Sequence, residues 1–141
     1  MKEEKVLALD YGRKRVGVAT GDTEFGIAFP RGVILNKGIS DLVDKLENLC
    51  KEIDAKLIVI GFPLNMREEQ IENEIIPDVK NLKNKLENRL DEVKVILYDE
   101  RLSSFEADKL MEEAMKSYGK KQLGRDAYAA QIILQRFFDK I

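Results

Sequence analysis

The stretch Val6 to Thr20, VLALDYGRKRVGVAT, decides how the rest of the chain is read. An apolar run ends in a single acid, Asp10; Gly12 follows, then three consecutive cations, Arg13, Lys14 and Arg15, and a second apolar run through Val16, Val18 and Ala19. This is the pattern of a β-hairpin with a buried first strand, a carboxylate at its mouth and a basic turn beside it. A carboxylate at the end of a core strand must be hydrogen-bonded, ion-paired or bound to a metal, because burial penalises its charged form. Asp10 therefore caps the turn, pairs with Arg15 or holds a cation, and the hairpin alone leaves these open.

Outward from the hairpin, Gly26 to Leu35 (GIAFPRGVIL) gives a third strand, with Pro30 and Gly32 indicating an edge position or a bulge. Ile39, Leu42, Val43, Leu46, Leu49, Cys50 and Ile53 recur at helical spacing, with Ser40 or Asp41 available as a cap. Lys56 to Gly61 (KLIVIG) is a continuous apolar run suited to a strand covered on both faces. From Arg67 to Leu90 apolar residues again fall at helical intervals; Pro77 either kinks one long helix or stands in the first turn of a second. The strand Val93 to Tyr98 ends, like the first, in acid: Asp99 and Glu100, then Arg101. Ser103 to Glu106 is a capping box opening another helix, Lys116 to Arg125 is a basic loop, and a last helix starts near Asp126. The order βββ-α-β-α-β-α-α, with right-handed crossovers before the fourth and fifth strands, predicts an α/β mixed sheet with helices on both faces. Without repeat or linker, residues 1–141 read as a single domain.

Composition narrows the chemistry. With 44% hydrophobic and 35% charged residues the chain reads as neither disordered nor membrane-spanning. Its 24 lysines and arginines against 26 acids give a net charge of -2, so a polyanionic partner would be held by a local patch. The start, MKEEKVLALD, lacks the apolar run of a signal peptide, which predicts a cytoplasmic protein with no membrane association. Cys50 is the sole cysteine, so no disulfide forms within the chain, and it reads as a small buried residue. There is no histidine, which excludes Ser-His-Asp and Cys-His nucleophiles, histidine acid–base catalysis and His-ligated zinc. What remains is carboxylates, lysines, hydroxyls, backbone amides or a hard, oxygen-bound metal.

In an open α/β sheet the functional crevice lies outside the carboxyl ends of the parallel strands. Asp10 closes the first strand, Asp99 and Glu100 close the last, and Asp126 opens the final helix. If these acids share the crevice, Mg²⁺ or Mn²⁺ would hold them ionised and activate water for phosphoryl displacement. Alternatively, Glu100 pairs with Arg101, and Asp126 is a helix-start acid favoured by the dipole. Arg13, Lys14 and Arg15, with Arg101, Lys120, Lys121 and Arg125, are either phosphate contacts or solvated cations. Gly12 fits close approach of backbone to phosphate, and Gly17 fits hairpin geometry. Tyr11 is placed to stack a base, Phe62 reads as core, and Ser103 and Ser104 read as helix caps.

The segments ALDYGRKRVGVA, IGFPLNM (Ile60 to Met66), YDERLSSFEA (Tyr98 to Ala107) and GRDAYAAQIILQRF (Gly124 to Phe137) together resemble the signature blocks of the YqgF/RuvX family of pre-16S rRNA nucleases and Holliday-junction resolvase-like proteins. The resemblance spans nearly the whole chain in order. It implies an RNase H-like fold with sheet order 3-2-1-4-5 and metal-dependent phosphodiester hydrolysis. Carried over by position, Asp10, Glu100 and Asp126 become the catalytic and metal-binding acids, Glu100 rather than Asp99 serving from its pair. The loop after the fourth strand, with Asn65, becomes a substrate contact. The chain departs from the family pattern at Arg67-Glu68-Glu69, where an Asp-Gly pair is common, and at Leu123-Gly124-Arg125.

The leading expectation is thus a metal-dependent endonuclease acting on structured nucleic acid, most specifically on the 5′ end of pre-16S rRNA. A four-way DNA junction is the alternative substrate; it would require a homodimer rather than a monomer, because symmetric cleavage needs two sites related by a two-fold axis. A non-catalytic nucleic-acid-binding module is a third reading. A sugar-kinase or actin-like phosphotransferase, suggested by Asp10-x-Gly12, would need two such domains, and 141 residues supply one.

Overall fold

The computed structural model describes residues 3–63, 69, 71–99, 102, 104–118 and 123–141. Its sheet grows from β1 (Lys5–Asp10), whose alternating side chains are buried on both sides: Val6 and Ala8 on one face, Leu7 and Leu9 on the other. A strand so enclosed must be central. The observed order is β3 (Ile27–Leu35), β2 (Arg15–Asp22), β1, β4 (Ala55–Gly61), β5 (Lys94–Tyr98). β2 runs antiparallel to both neighbours, while β4 and β5 run parallel to β1, as the crossover argument requires. The register of β2 with β3 skips from Gly32 to Pro30, so Arg31 is the bulged residue that the flanking Pro30 and Gly32 announced.

Helices cover both faces. α1 (Ile39–Ile53) and α2 (Ile76–Arg89) pack on Leu7, Leu9, Val16 and Val18 through Leu42, Leu46, Val79, Leu82 and Leu86. The opposite face carries α4 (Arg125–Lys140), with α3 (Ser104–Tyr118) against it through Ala107 and Met111. Cys50 is buried on α1 as expected, and burial pushes its thiol up to about 11.

Two local expectations change, and the alternatives for Pro77 are resolved. α1 is capped by Gly38 at φ 112°, not by Ser40 or Asp41, which lie inside the helix; Asn36 Oδ1 accepts the Gly38 N–H at 3.1 Å and fixes that entry. Pro77 stands in the first turn of α2, and a π-helical turn, Ile71–Ile75, runs directly into that helix. The basic loop shortens because α3 continues through Tyr118. The capping residue Ser103 lies outside the described residues.

The exposed edge of the sheet at β3 is closed by side chains. Gln135 accepts the Ala28 N–H at 3.0 Å and donates to the Gly26 carbonyl at 2.9 Å; Gln131 donates to the Ala28 carbonyl at 3.4 Å. Pro30 then removes a further donor from the same strand, so β3 offers no continuous ladder to another chain. Among the described residues, no helix is long and apolar enough to cross a membrane.

Candidate active site

Asp10 is the last residue of β1, and its side chain points to the α4 face, in phase with Val6 and Ala8. In the sheet it lies between Gly17 of β2 and Gly61 of β4. Both glycines are required by what lies above them. A Cβ on Gly17 would overlap the backbone carbonyl of Asp126, and one on Gly61 would come within 2.6 Å of Ile133. Side chains there would lift α4 off the sheet. Without them the first turn of α4 rests directly on β2 and carries Asp126 to Asp10. Gly124, the residue before α4, enters at φ 84°, in the left-handed region that favours glycine, and its carbonyl accepts the Ala127 N–H at 3.2 Å.

The two acids sit in different surroundings. Asp10 is 8% exposed, and its Oδ1 is buried with no hydrogen-bond partner among the described residues. Burial, then the charge of Asp126, raises its carboxyl well above the usual range. Asp126 is half-buried and accepts Arg15 Nε on Oδ2 at 2.8 Å. The hairpin cation therefore serves Asp126, not Asp10, and the turn-cap and Arg15-pair readings of Asp10 both fail. A buried carboxylate oxygen without a donor, beside a second carboxylate, is what a hard cation would complete.

The third expected acid, Glu100, lies outside the described residues, as do Asn65, Arg101, Lys120 and Lys121. Tyr98 pairs with Gly61, which pairs with Asp10, so the chain leaves β5 at the same end of the sheet as Asp10. Asp99 there is exposed. Among the described residues, the three carboxylates that come within 4.8 Å of one another are Glu3, Asp22 and Glu24, at the opposite end of the hairpin. Asp22 there is already satisfied by Lys5 and by the N–H groups of Glu24 and Phe25.

The basic residues divide. Arg15 and Arg125 line one groove with Asp126, Gly124 and Arg31, an open space of about 560 Å³. Arg31 was not foreseen; an arginine between Pro30 and Gly32 in an apolar strand was its signal, and the bulge turns it to the groove. Arg13 instead ties the hairpin to the π turn, donating to the Glu74 carbonyl at 3.0 Å and to Asp78 at 3.2 Å. Gly12 serves the turn itself, since a Cβ there would overlap the Arg15 carbonyl, and Lys14 is exposed on that turn. Tyr11 is 3% exposed and packs in the core with Phe62, so it is no stacking platform.

Comparison with known proteins gives the family and the fold. Residues 4–140 match the family described as "RuvX: Holliday junction resolvase". A protein of Thiobacillus denitrificans named "Putative pre-16S rRNA nuclease" is 41% identical over 95% of this chain and 90% of its own length. One of the same name from Dictyoglomus thermophilum is 36% identical over 96% and 95%. Thermus thermophilus RuvC superposes with a TM-score of 0.61 at 12% identity, covering 96% of this chain and 95% of that one. The same protein in complex with a Holliday junction substrate gives 0.57 at 11% identity over 96% and 94%. With the 3-2-1-4-5 sheet, these likenesses make the fold RNase H-like. The sequence match runs from the start of the hairpin to the end of α4, and the chain belongs to the RuvX family of nucleases.

Proposed function

We propose that this protein is a divalent-metal-dependent endonuclease of structured nucleic acid, acting in the cytoplasm to process the 5′ end of pre-16S rRNA. The observation that carries the reading is the buried Oδ1 of Asp10, which has no hydrogen-bond partner among the described residues, beside Asp126. Asp10 and Asp126, with Glu100 from the segment after β5, would hold Mg²⁺ or Mn²⁺. When bound, such an ion supplies an activated water and neutralises charge developing on the phosphate. The chain's own contribution is positional. The Gly17 seat fixes Asp126 over Asp10, and the core beneath Asp10 keeps that carboxylate dry, so a cation is the favourable way to ionise it. Arg15, Arg31 and Arg125 flank the acids on the groove side and would receive the phosphate backbone, together with Lys14, Asn65, Arg101, Lys120 and Lys121.

The test is cleavage of an RNA carrying the 5′ extension of 16S precursor, with a synthetic four-way junction as competitor, in Mn²⁺ and in EDTA. Metal-dependent cutting of the RNA at one position, abolished in Asp10→Asn, is expected. Preferential cutting of the junction would transfer the activity to the resolvase reading, which the family description and the junction-bound relative favour. That reading demands a dimer, and with the β3 edge closed by Gln131 and Gln135 the two-fold contact would have to use another surface. Tight binding without cleavage in any divalent metal would leave a binding module only.

A further inference from the structure

We propose that Arg15 is the resident counter-cation of this site: its guanidinium holds Asp126 while no metal ion is present, gives the carboxylate up to an incoming divalent ion, and is then free for a substrate phosphate. The inference rests on the metal-site reading above and adds a role for a residue that is not a metal ligand.

Arg15 is the first residue of β2, two positions before the glycine on which α4 is seated, so the strand start and the helix start are fixed relative to each other. Its Nε donates to Asp126 Oδ2 at 2.8 Å, so the guanidinium sits on the acid whose backbone is seated on Gly17, the strand partner of Asp10. The pair spares Asp126 and Asp10 part of their mutual repulsion. It is also exchangeable, since the side chains are 58% and 32% exposed and an ion pair this open to water is weak. A single charge on one carboxylate is outmatched by a doubly charged ion that two or more carboxylates surround.

The other described cations differ in what they hold. Arg13 is fastened to a backbone carbonyl and to Asp78, and Arg125 pairs with Asp108 on α3. Arg15 alone of these is paired with a site acid. On release it needs no backbone movement to reach substrate, because it already lines the groove with Arg31 and Arg125. A guanidinium suits that second role, presenting a planar fork to phosphate oxygens.

The experiment is Mn²⁺ binding to the full chain without nucleic acid, by calorimetry and by the loss of the free-ion electron paramagnetic resonance signal. In Arg15→Gln the ion no longer displaces a resident charge, so Mn²⁺ should bind about 3- to 10-fold more tightly than in wild type, with Arg15→Lys between. Relative to wild type, the affinity of Arg15→Gln for the RNA substrate should fall further in Mn²⁺ than in metal-free buffer, where the wild-type guanidinium is still held by Asp126. Equal or weaker Mn²⁺ binding by Arg15→Gln overturns the proposal, and weaker binding would show that Arg15 merely positions Asp126. Failure of wild type to bind Mn²⁺, or undiminished binding by Asp10→Asn and Asp126→Asn, would overturn the metal-site reading and this inference with it.

Discussion

Asp10 is a residue whose burial works against stability for the sake of the site. Its folded carboxyl is raised by burial and by Asp126, above an unfolded value of about 3.9. Between those two values the native state retains a proton that the unfolded chain has lost. Stability contributed by protonated Asp10 is therefore present at low pH and lost as pH rises through the window. Metal-free Asp10→Asn should melt several degrees above wild type at neutral pH, equivalent to about 1–3 kcal/mol, with the gap closing as pH falls toward 4. Mn²⁺ at a hundred times its dissociation constant should then stabilise wild type by about 2.7 kcal/mol and Asp10→Asn by far less. Thermal unfolding in EDTA and in Mn²⁺ checks both, and identical metal-free melting at pH 7 would contradict the unsatisfied burial. That an acid ends β1 was legible in the sequence, since one charge interrupts an otherwise apolar run. That Arg15 serves Asp126 was not, because that pairing depends on where a helix more than a hundred residues away begins.

At the scale of elements, the site depends on how closely α4 approaches β2. Gly17→Ala would drive a methyl into the Asp126 carbonyl, and backbone cannot rotate aside as a side chain can. A loss of about 1–3 kcal/mol is expected by denaturant unfolding, with weakened Mn²⁺ binding as the helix start shifts. Gly32→Ala is the control, since a methyl there meets nothing within 4 Å and both properties should be retained. The β3 edge gives a second expectation: Gln135→Leu strips partners from the Ala28 N–H and the Gly26 carbonyl, and should increase self-association in light scattering. Strand polarity was legible because short turns and crossover handedness constrain it, whereas the sheet order was implied by the family resemblance and not by the pattern of residues. The seat at Gly17 was hidden, since a glycine in a hairpin reads as local geometry until the helix above it is known. The π turn before Pro77 was equally hidden, for it shares its apolar spacing with an ordinary helix.

For the whole molecule, a net charge of -2 means that nucleic-acid affinity must come from where the cations lie rather than how many there are. The groove beside Asp126 gathers Arg15, Arg31 and Arg125, and among the described residues the last two are engaged in exposed pairs, with Glu52 at 2.7 Å and Asp108 at 2.9 Å. Such pairs cost little to exchange for phosphate. Each phosphate neutralised on duplex DNA steepens the fall of log affinity with log salt by about 0.9. Arg31→Ala and Arg125→Ala should therefore each flatten that slope by roughly one when binding to the duplex arms of a four-way junction is titrated with salt in EDTA. Lys56, paired with Asp54 at the far end of the sheet, supplies the comparison: Lys56→Ala should leave the slope where it was. A slope that falls equally for all three variants would mean that the polyanion is attracted by general charge, and that the groove beside Asp126 is not its path.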